Sequence, residues 1–315
     1  LFRSEEEELE GIQIYRHWIS GEAKGLRAFL AEYASALVGE FCCALKAWRH
    51  RSFDVMHLCN PPDLLFLVAL PFKLLAGVKV VYDVHDLWPE MFEAKFKRRG
   101  LFYWGVRLAE RATLALADAV IATNQSVLAA VQRRGKKPEA EVFVVRTAPH
   151  ALDTSVKPDP ALKKDRAFLV GYIGVMGDAD GVRYLVEAAH HLVHTRGRRD
   201  IHFLLMGTGP EYADLIRLRD ELGLGQYIDM PGRVSNEFLF TALQTMDAGV
   251  ACDPINHYND HCTMNKTLEY MAFAKPQVMY DVTEGRFSAG PAAVYVQGNS
   301  PQAMGDAVLA LLDDP

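Results

Sequence analysis

The chain has 315 residues, 50% of them hydrophobic and 23% charged, long enough for two domains of roughly 150 residues that each bury a core. A formal net charge of -6 and a pI near 6.0 argue against nucleic acid as the main partner. The five cysteines, Cys42, Cys43, Cys59, Cys252 and Cys262, are odd in number and lack a C-x-x-C spacing, so they read as reduced core thiols of a cytosolic protein, without a disulfide framework or a zinc site.

The chain opens on Leu1 and an acidic run, Arg3 to Glu8, read as an exposed loop, and Gly11 to Trp18 then alternates like a strand. Leu26 to Trp48 is the most apolar stretch, yet it holds Arg27, Glu32, Glu40 and Lys46, which a bilayer span tolerates poorly. Its apolar residues recur at three and four, the spacing of an amphipathic helix. From Asp54 onward the alternation is regular. Strands are predicted at Phe53 to Leu58, Val78 to Val84, Ala119 to Ala122 and Val142 to Val145, and helices at Asp63 to Leu75, Leu101 to Ala117 and Ser126 to Arg134. That order means a doubly wound parallel sheet.

Pro149 to Lys164, rich in Pro, Asp and Lys, breaks the pattern and reads as a linker. The expected division is residues 1–150, a linker at 151–165, and 166–315. A second series follows: strands at Phe168 to Ile173, His202 to Met206, Tyr227 to Met230, Gly249 to Cys252 and Gln277 to Tyr280, with helices at Val182 to His194, Pro210 to Leu222, Asn236 to Thr245 and Gln302 to Leu312. The fold class is α/β, two Rossmann-like domains, and a cleft between two such halves is the default place for a ligand.

The stretch Asn259 to Gly290 carries the most chemistry. A polar loop runs into a short helix with Lys266 and Glu269; that helix stops at Lys275-Pro276, and after the strand a second polar loop, Asp281 to Arg286, is expected. Lys266 stands in the helix's first turn, where the macrodipole disfavours a cation by about 0.3 to 1 kcal/mol, a placement that makes sense if an anion shares the site. Glu269 falls one turn later on about the same face. An ordinary surface pair is the plain alternative. Upstream, His85 and Asp86 in Tyr82-Asp83-Val84-His85-Asp86-Leu87-Trp88-Pro89-Glu90 leave the carboxyl end of a strand, where they could meet sugar hydroxyls or simply cap a turn.

The glycines Gly174, Gly177 and Gly181 of GYIGVMGDADG lie between a strand and a helix, so their N–H groups could meet a diphosphate. Asp178-Ala179-Asp180 within it mimics a metal-binding D-x-D but reads as helix N-capping. Gly207-Thr208-Gly209-Pro210-Glu211 fails the dinucleotide fingerprint, with Tyr212 in place of the third glycine. Gly232 and Arg233 follow another strand. Lys95, Lys97, Arg98 and Arg99 precede Leu101, Phe102, Tyr103 and Trp104. That cluster could rest on an anionic membrane surface, although a solvated loop followed by a core-facing helix start is the preferred account.

The words TMNKTLEYMAFAKPQVMYDVTEGRFSAG closely resemble the donor-site segment of family 4 glycosyltransferases, retaining enzymes of the GT-B fold, and D-x-H-D-x-x-P-E and G-x-G-P-E resemble two further turns of that family. The resemblance implies transfer of a sugar from a nucleotide-diphosphate sugar to a glycan or lipid-linked acceptor, in surface or exopolysaccharide assembly, without metal or cofactor. It implies that Glu269 binds the ribose, Lys266 lies near the diphosphate, His85 faces the transferred sugar, and the backbone at Gly232 reads the base. Asp86, Gly207, Arg233, Asp260, Asn265, Glu284 and Arg286 complete the candidate set. Two departures stand out: Val175 and Asp180 replace the arginine and lysine many members place in their loop, and His261, with Asp260 beside it, replaces a second glutamate. The resemblance also implies that a first βαβ portion and C-terminal return helices are missing from the sequence, and a cytoplasmic or peripheral inner-membrane location. A sugar-nucleotide epimerase of the same fold and a non-catalytic nucleotide-sugar-binding subunit are the alternatives.

Overall fold

The structure, a computed structural model, describes residues 5–19, 26–149 and 152–314, with the side chains of 26–30 and 95 left aside. The chain divides into two compact units, Leu1–Arg146 and Thr147–Pro315.

In the first unit the acidic run is not a loop. β1 (Glu6–Leu9) and β2 (Ile12–Tyr15) form an antiparallel hairpin, turned by Glu10 and Gly11, both at positive φ. Its charges are balanced by Arg16, 2.7 Å from Glu7, and by Lys46 against Glu6. α1 (Leu26–His50) is the expected amphipathic helix. There follow β3 (Val55–Cys59), α2 (Phe66–Ala76), β4 (Lys79–Val84), α3 (Trp88–Phe96), α4 (Leu101–Leu116), β5 (Ala119–Ala122), α5 (Gln125–Gly135) and β6 (Val142–Val144).

The four strands β3-β4-β5-β6 lie in that order, all parallel. Leu58, Val80, Tyr82, Val84, Val120 and Ala122 point to one face and pack on Val68, Ala69, Leu114, Val127 and Ala130 of the helices. The other face carries the alternate residues, and there Val55 and Phe143 remain more than half exposed. The sequence reading has no α3. Trp88 and Phe92 fix that helix by packing on Tyr103, Val106 and Ala109 of α4, and its buried Glu90 pairs with Arg134 of α5.

The second unit runs β7 (Phe168–Ile173), α6 (Val182–His190), β8 (Ile201–Met206), α7 (Tyr212–Glu221), β9 (Ile228–Gly232), α8 (Asn236–Thr245), β10 (Ala248–Ala251), α9 (Asn265–Ala272), β11 (Gln277–Tyr280), α10 (Thr283–Ala289), β12 (Ala293–Val296) and α11 (Pro301–Asp313). Its six parallel strands take the order β12-β11-β10-β7-β8-β9. Residues of α6, α7 and α11 cover one face and residues of α8 and α9 the other, which explains why β8 is buried at all six positions. The order reverses between β7 and β10, so the loops leaving those strands diverge and open a crevice at their carboxyl ends.

One expectation needs correction here. Residues 283–286, expected as a polar loop, are the first turn of α10. Within the stretch read as a linker, the Asp159 N–H donates to Thr245 Oγ1 at 2.8 Å, and Lys163 reaches Asp247 at 2.9 Å.

Candidate active site

The turns leaving β7, β8 and β9 are stitched to one another by backbone. The Gly174 N–H donates to the Met206 carbonyl at 3.1 Å, Gly207 to Gly232 at 2.9 Å, and Met176 to Thr208 at 3.1 Å. Gly207 has φ 142°, and a β-carbon there would collide with the Gly174 carbonyl oxygen, so only glycine lets the two turns touch. Asp178–Asp180 form one 3-10 turn, closed by the Gly177 N–H donating to the Asp180 carboxylate at 3.0 Å. The N-capping expected of these aspartates therefore serves that turn. α6 itself starts after Gly181, with no side-chain cap. Gly181, at φ 64°, packs against the end of β10, where a β-carbon would strike the Cys252 carbonyl and come within 2.7 Å of Pro254 Cδ.

Lys266 lies beneath the first of these turns. Its chain is 7% exposed; its Nζ is 5.1 Å from the Tyr172 ring centroid, and a β-carbon on Gly174 would stand 3.3 Å from its Cε. Nζ donates to both oxygens of Asp253 at 2.8 Å each. Burial acts to lower the pKa of this ammonium, but Asp253, the Cys252 thiol and Asp180 outweigh it, and the net shift is upward. The cation is therefore fixed, and already balanced by a carboxylate that the sequence reading did not include.

Glu269, one turn along α9, is half-buried, and its carboxylate has no hydrogen-bond partner among the described residues. Burial raises its pKa, with Lys266 opposing. Asn265 stands exposed at the first position of the same helix. Asp260 accepts from the Thr283 N–H at 2.7 Å and so caps α10, while His261 turns to the His257 carbonyl, 2.7 Å from Nδ1. Glu284 is buried in the first turn of α10. Arg286 faces elsewhere: it pairs with Asp281 at 2.7 and 2.8 Å and stacks on the Tyr295 ring at 4.1 Å. Arg233 is exposed after β9 and has no ion partner among the described residues. Thus Gly174, Gly177, Gly181 and Lys266 converge at the ends of β7 and β10, with Gly207 and Gly232 tied alongside. Arg286 belongs to a separate group at the ends of β11 and β12.

In the first unit, His85 and Asp86 leave β4 on a turn held by Asn60. The Asn60 side-chain oxygen accepts from the His85 N–H at 2.7 Å and from the Asp86 N–H at 3.3 Å, and its amide donates to the Asp86 carbonyl at 2.7 Å. The same amide donates to Asp63 at 2.8 Å. Asp63 is buried, also accepts from the Tyr82 hydroxyl, and has its carboxyl pushed up to about 7 by burial. The His85 ring is exposed, with Nε2 3.3 Å from Asp83. Among the basic residues, Arg99 pairs with Glu93 at 2.8 and 2.9 Å, Lys97 and Arg98 are exposed, and the Lys95 side chain lies outside the described residues. The expected core-facing start of α4 holds only for Tyr103: Leu101, Phe102, Trp104 and Leu108 are exposed, Leu101 by 89%. Likewise only Cys252 is a buried thiol; Cys42 and Cys59 are exposed. No helix among the described residues is long and apolar enough to cross a membrane.

Two cavities of about 420 and 450 Å³ open elsewhere on the second unit, the first at the amino ends of β11 and β12, the second beside β8 and β9. No candidate residue lines either, and the strand-end geometry outweighs them as a guide to chemistry.

Residues 167–314 match the model of the glycosyl transferases group 1, and residues 2–148 match that of the glycosyl transferase 4-like domain. The chain belongs to the family 4 glycosyltransferases. A curated relative of this glycosyltransferase chain is the alpha-D-kanosaminyltransferase of Streptomyces kanamyceticus, 28% identical over 218 residues, 66% of this chain and 54% of the relative. The chain thus spans about half the length of that relative. Among solved structures, sucrose-phosphate synthase from Thermosynechococcus elongatus superposes with a TM-score of 0.75 at 17% identity, over 99% of this chain and 77% of that one. Anabaena HepE in complex with UDP gives 0.66 at 17% identity, over 90% and 74%. At such identities the likeness concerns the fold, which is GT-B α/β.

Three residues of this family 4 chain escaped the sequence reading: Asp253, Tyr172 and Asn60. Asp253 stands two residues past β10 and before Pro254, an acidic residue leaving a buried strand, and that position was its available signal. Tyr172 reads as core in any apolar strand. Asn60, next to Pro61-Pro62, looks like an ordinary turn residue until its partners at Asp63 and Asp86 are seen.

Proposed function

We propose that the protein transfers a sugar from a nucleotide-diphosphate sugar to a glycan or lipid-linked acceptor, with retention of configuration, in surface or exopolysaccharide biosynthesis. The observation that carries this reading is Glu269: a half-buried carboxylate without a hydrogen-bond partner among the described residues, next to a buried ammonium and a row of backbone turns at a sheet's switch point. A ribose supplies the two hydroxyls such a carboxylate lacks. In this reading the diphosphate sits against the 174–181 turn, where backbone N–H groups and Lys266 meet the charge that builds as the glycosidic bond breaks. Lys266 must then be shared between Asp253 and the phosphate. No protein base is assigned, since the departing phosphate can take the acceptor's proton. We carry the transfer as metal-independent, with the backbone N–H groups as the main counter to the phosphate charge because Lys266 is already held by Asp253. His85 enters the proposal through the family resemblance alone, as the group that meets the transferred sugar. HepE has been solved with UDP-glucose, which makes uridine nucleotides the first donors to try.

A hydrogen bond to a charged group contributes about 1.5 to 3 kcal/mol, or tenfold and more in affinity. Glu269→Ala should therefore weaken UDP and UDP-sugar binding at least tenfold by calorimetry while the far-ultraviolet spectrum stays unchanged. Equal affinity in a folded variant would remove the assignment. The exposed Leu101, Trp104 and Leu108, at helical spacing beside Arg98, support a peripheral membrane contact as part of the same proposal. Binding to anionic vesicles that survives Trp104→Ser with Arg98→Glu would refute that part.

A further inference from the structure

The exposed face of the first unit's sheet carries a group that the proposed transfer does not use. His57 and Cys59 alternate on β3 and so project to the same side, and Cys59 is paired in register with Asp83 on β4. One ligand atom from each of His57, Cys59 and Asp83 lies within 4.8 Å of the others. His57 Nε2 is 3.1 Å from an Asp83 oxygen, and His85 Nε2 approaches the same oxygen at 3.3 Å. A tetrahedral zinc ion with bonds of about 2.0 to 2.3 Å sets neighbouring ligand atoms roughly 3.3 to 3.8 Å apart, so only small side-chain movements separate this cluster from a coordination shell. Nitrogen, sulfur and carboxylate oxygen together are the donor set of a borderline-soft cation, not of magnesium or calcium.

We propose that His57, Cys59 and Asp83 bind a divalent cation of the zinc class, with water in the fourth position. The cation binds the Cys59 sulfur as thiolate, the imidazole as its neutral form and the carboxylate as it stands; the thiol proton leaves to solvent and nothing is oxidised or reduced. The C-x-x-C rule missed the site because its ligands come from H-x-C on one strand and an aspartate on the next. The inference does not depend on the transferase reading.

The test uses the reduced full chain with cobalt(II) and then zinc(II). One equivalent of cobalt should give a thiolate-to-metal charge-transfer band in the near ultraviolet that zinc abolishes. Cys59→Ser should remove the band, and His57→Ala should weaken binding at least tenfold; both residues are exposed, so circular dichroism should report intact folding. Absence of a band, its persistence in Cys59→Ser, or unchanged affinity in His57→Ala would each overturn the site. Asp83→Asn adds a third arm: if it folds and binds as tightly as the parent, the carboxylate is not a ligand and the three-residue assignment fails.

Discussion

Asp253 grips Lys266 with both carboxylate oxygens, each 2.8 Å from the ammonium, in a pocket where the two side chains are 4% and 8% exposed. Removing one partner of such a pair leaves the other buried and uncompensated, at a cost of about 3 to 5 kcal/mol. Lys266→Ala should lower the urea midpoint accordingly, and Lys266→Met combined with Asp253→Leu should restore most of the loss. A single variant as stable as the parent would show that the pair does not form in solution.

Gly207 and Gly223 offer a matched comparison. Both have positive φ, but a β-carbon at Gly223 meets nothing within 4 Å, whereas at Gly207 it runs into the Gly174 backbone. Gly223→Ala should cost about 1 kcal/mol of backbone strain. Gly207→Ala should cost several times more and displace the 174–181 turn, so UDP affinity should fall with it. Equal melting temperatures for the two variants would contradict the stitched arrangement.

Asp63 should make stability depend on pH with an unusual sign. Burial raises its carboxyl from 3.8 to about 7 in the folded chain, so folding favours the protonated form. The stability this group contributes is full below about 3.8 and is lost as the pH rises through about 7. Asp63→Asn keeps an acceptor for Tyr82 and Asn60 but cannot ionise. Urea midpoints measured from pH 4 to 8 should fall less steeply for the variant; identical slopes would mean that Asp63 titrates normally.

Where the sequence reading placed elements well, the cause is a clear local pattern. β5, β7, β11 and α8 start and stop where predicted, because continuous apolar runs or a clear apolar stripe meet turn residues at each end. α3 and α10 were missed for different reasons. α3 is helical because Trp88 and Phe92 find α4, a tertiary fact. α10 is seven residues long and includes Gly285 and Ser288, and its first N–H is satisfied by Asp260, 23 residues earlier. The site divides in the same way. Lys266 and the strand-end glycines are visible in local words, but the partner of Lys266 stands 13 residues upstream, and the loop that leaves β10 and returns into α9 brings the two together.

Adjacent residues of the turn Asn259–His261 reach in opposite directions. The Asn259 amide donates to the carbonyls of Ala179 and Pro254 at 2.9 Å each, while the Asp260 carboxylate takes the Thr283 N–H at 2.7 Å. The turn is thus a crosspiece between the loop at residue 179 and the start of α10, and a strain imposed on one is passed to its neighbour. Reshaping ligand preference by altering either one alone would work against this brace, so engineered changes near residue 179 and near residue 283 should succeed as pairs where each fails singly.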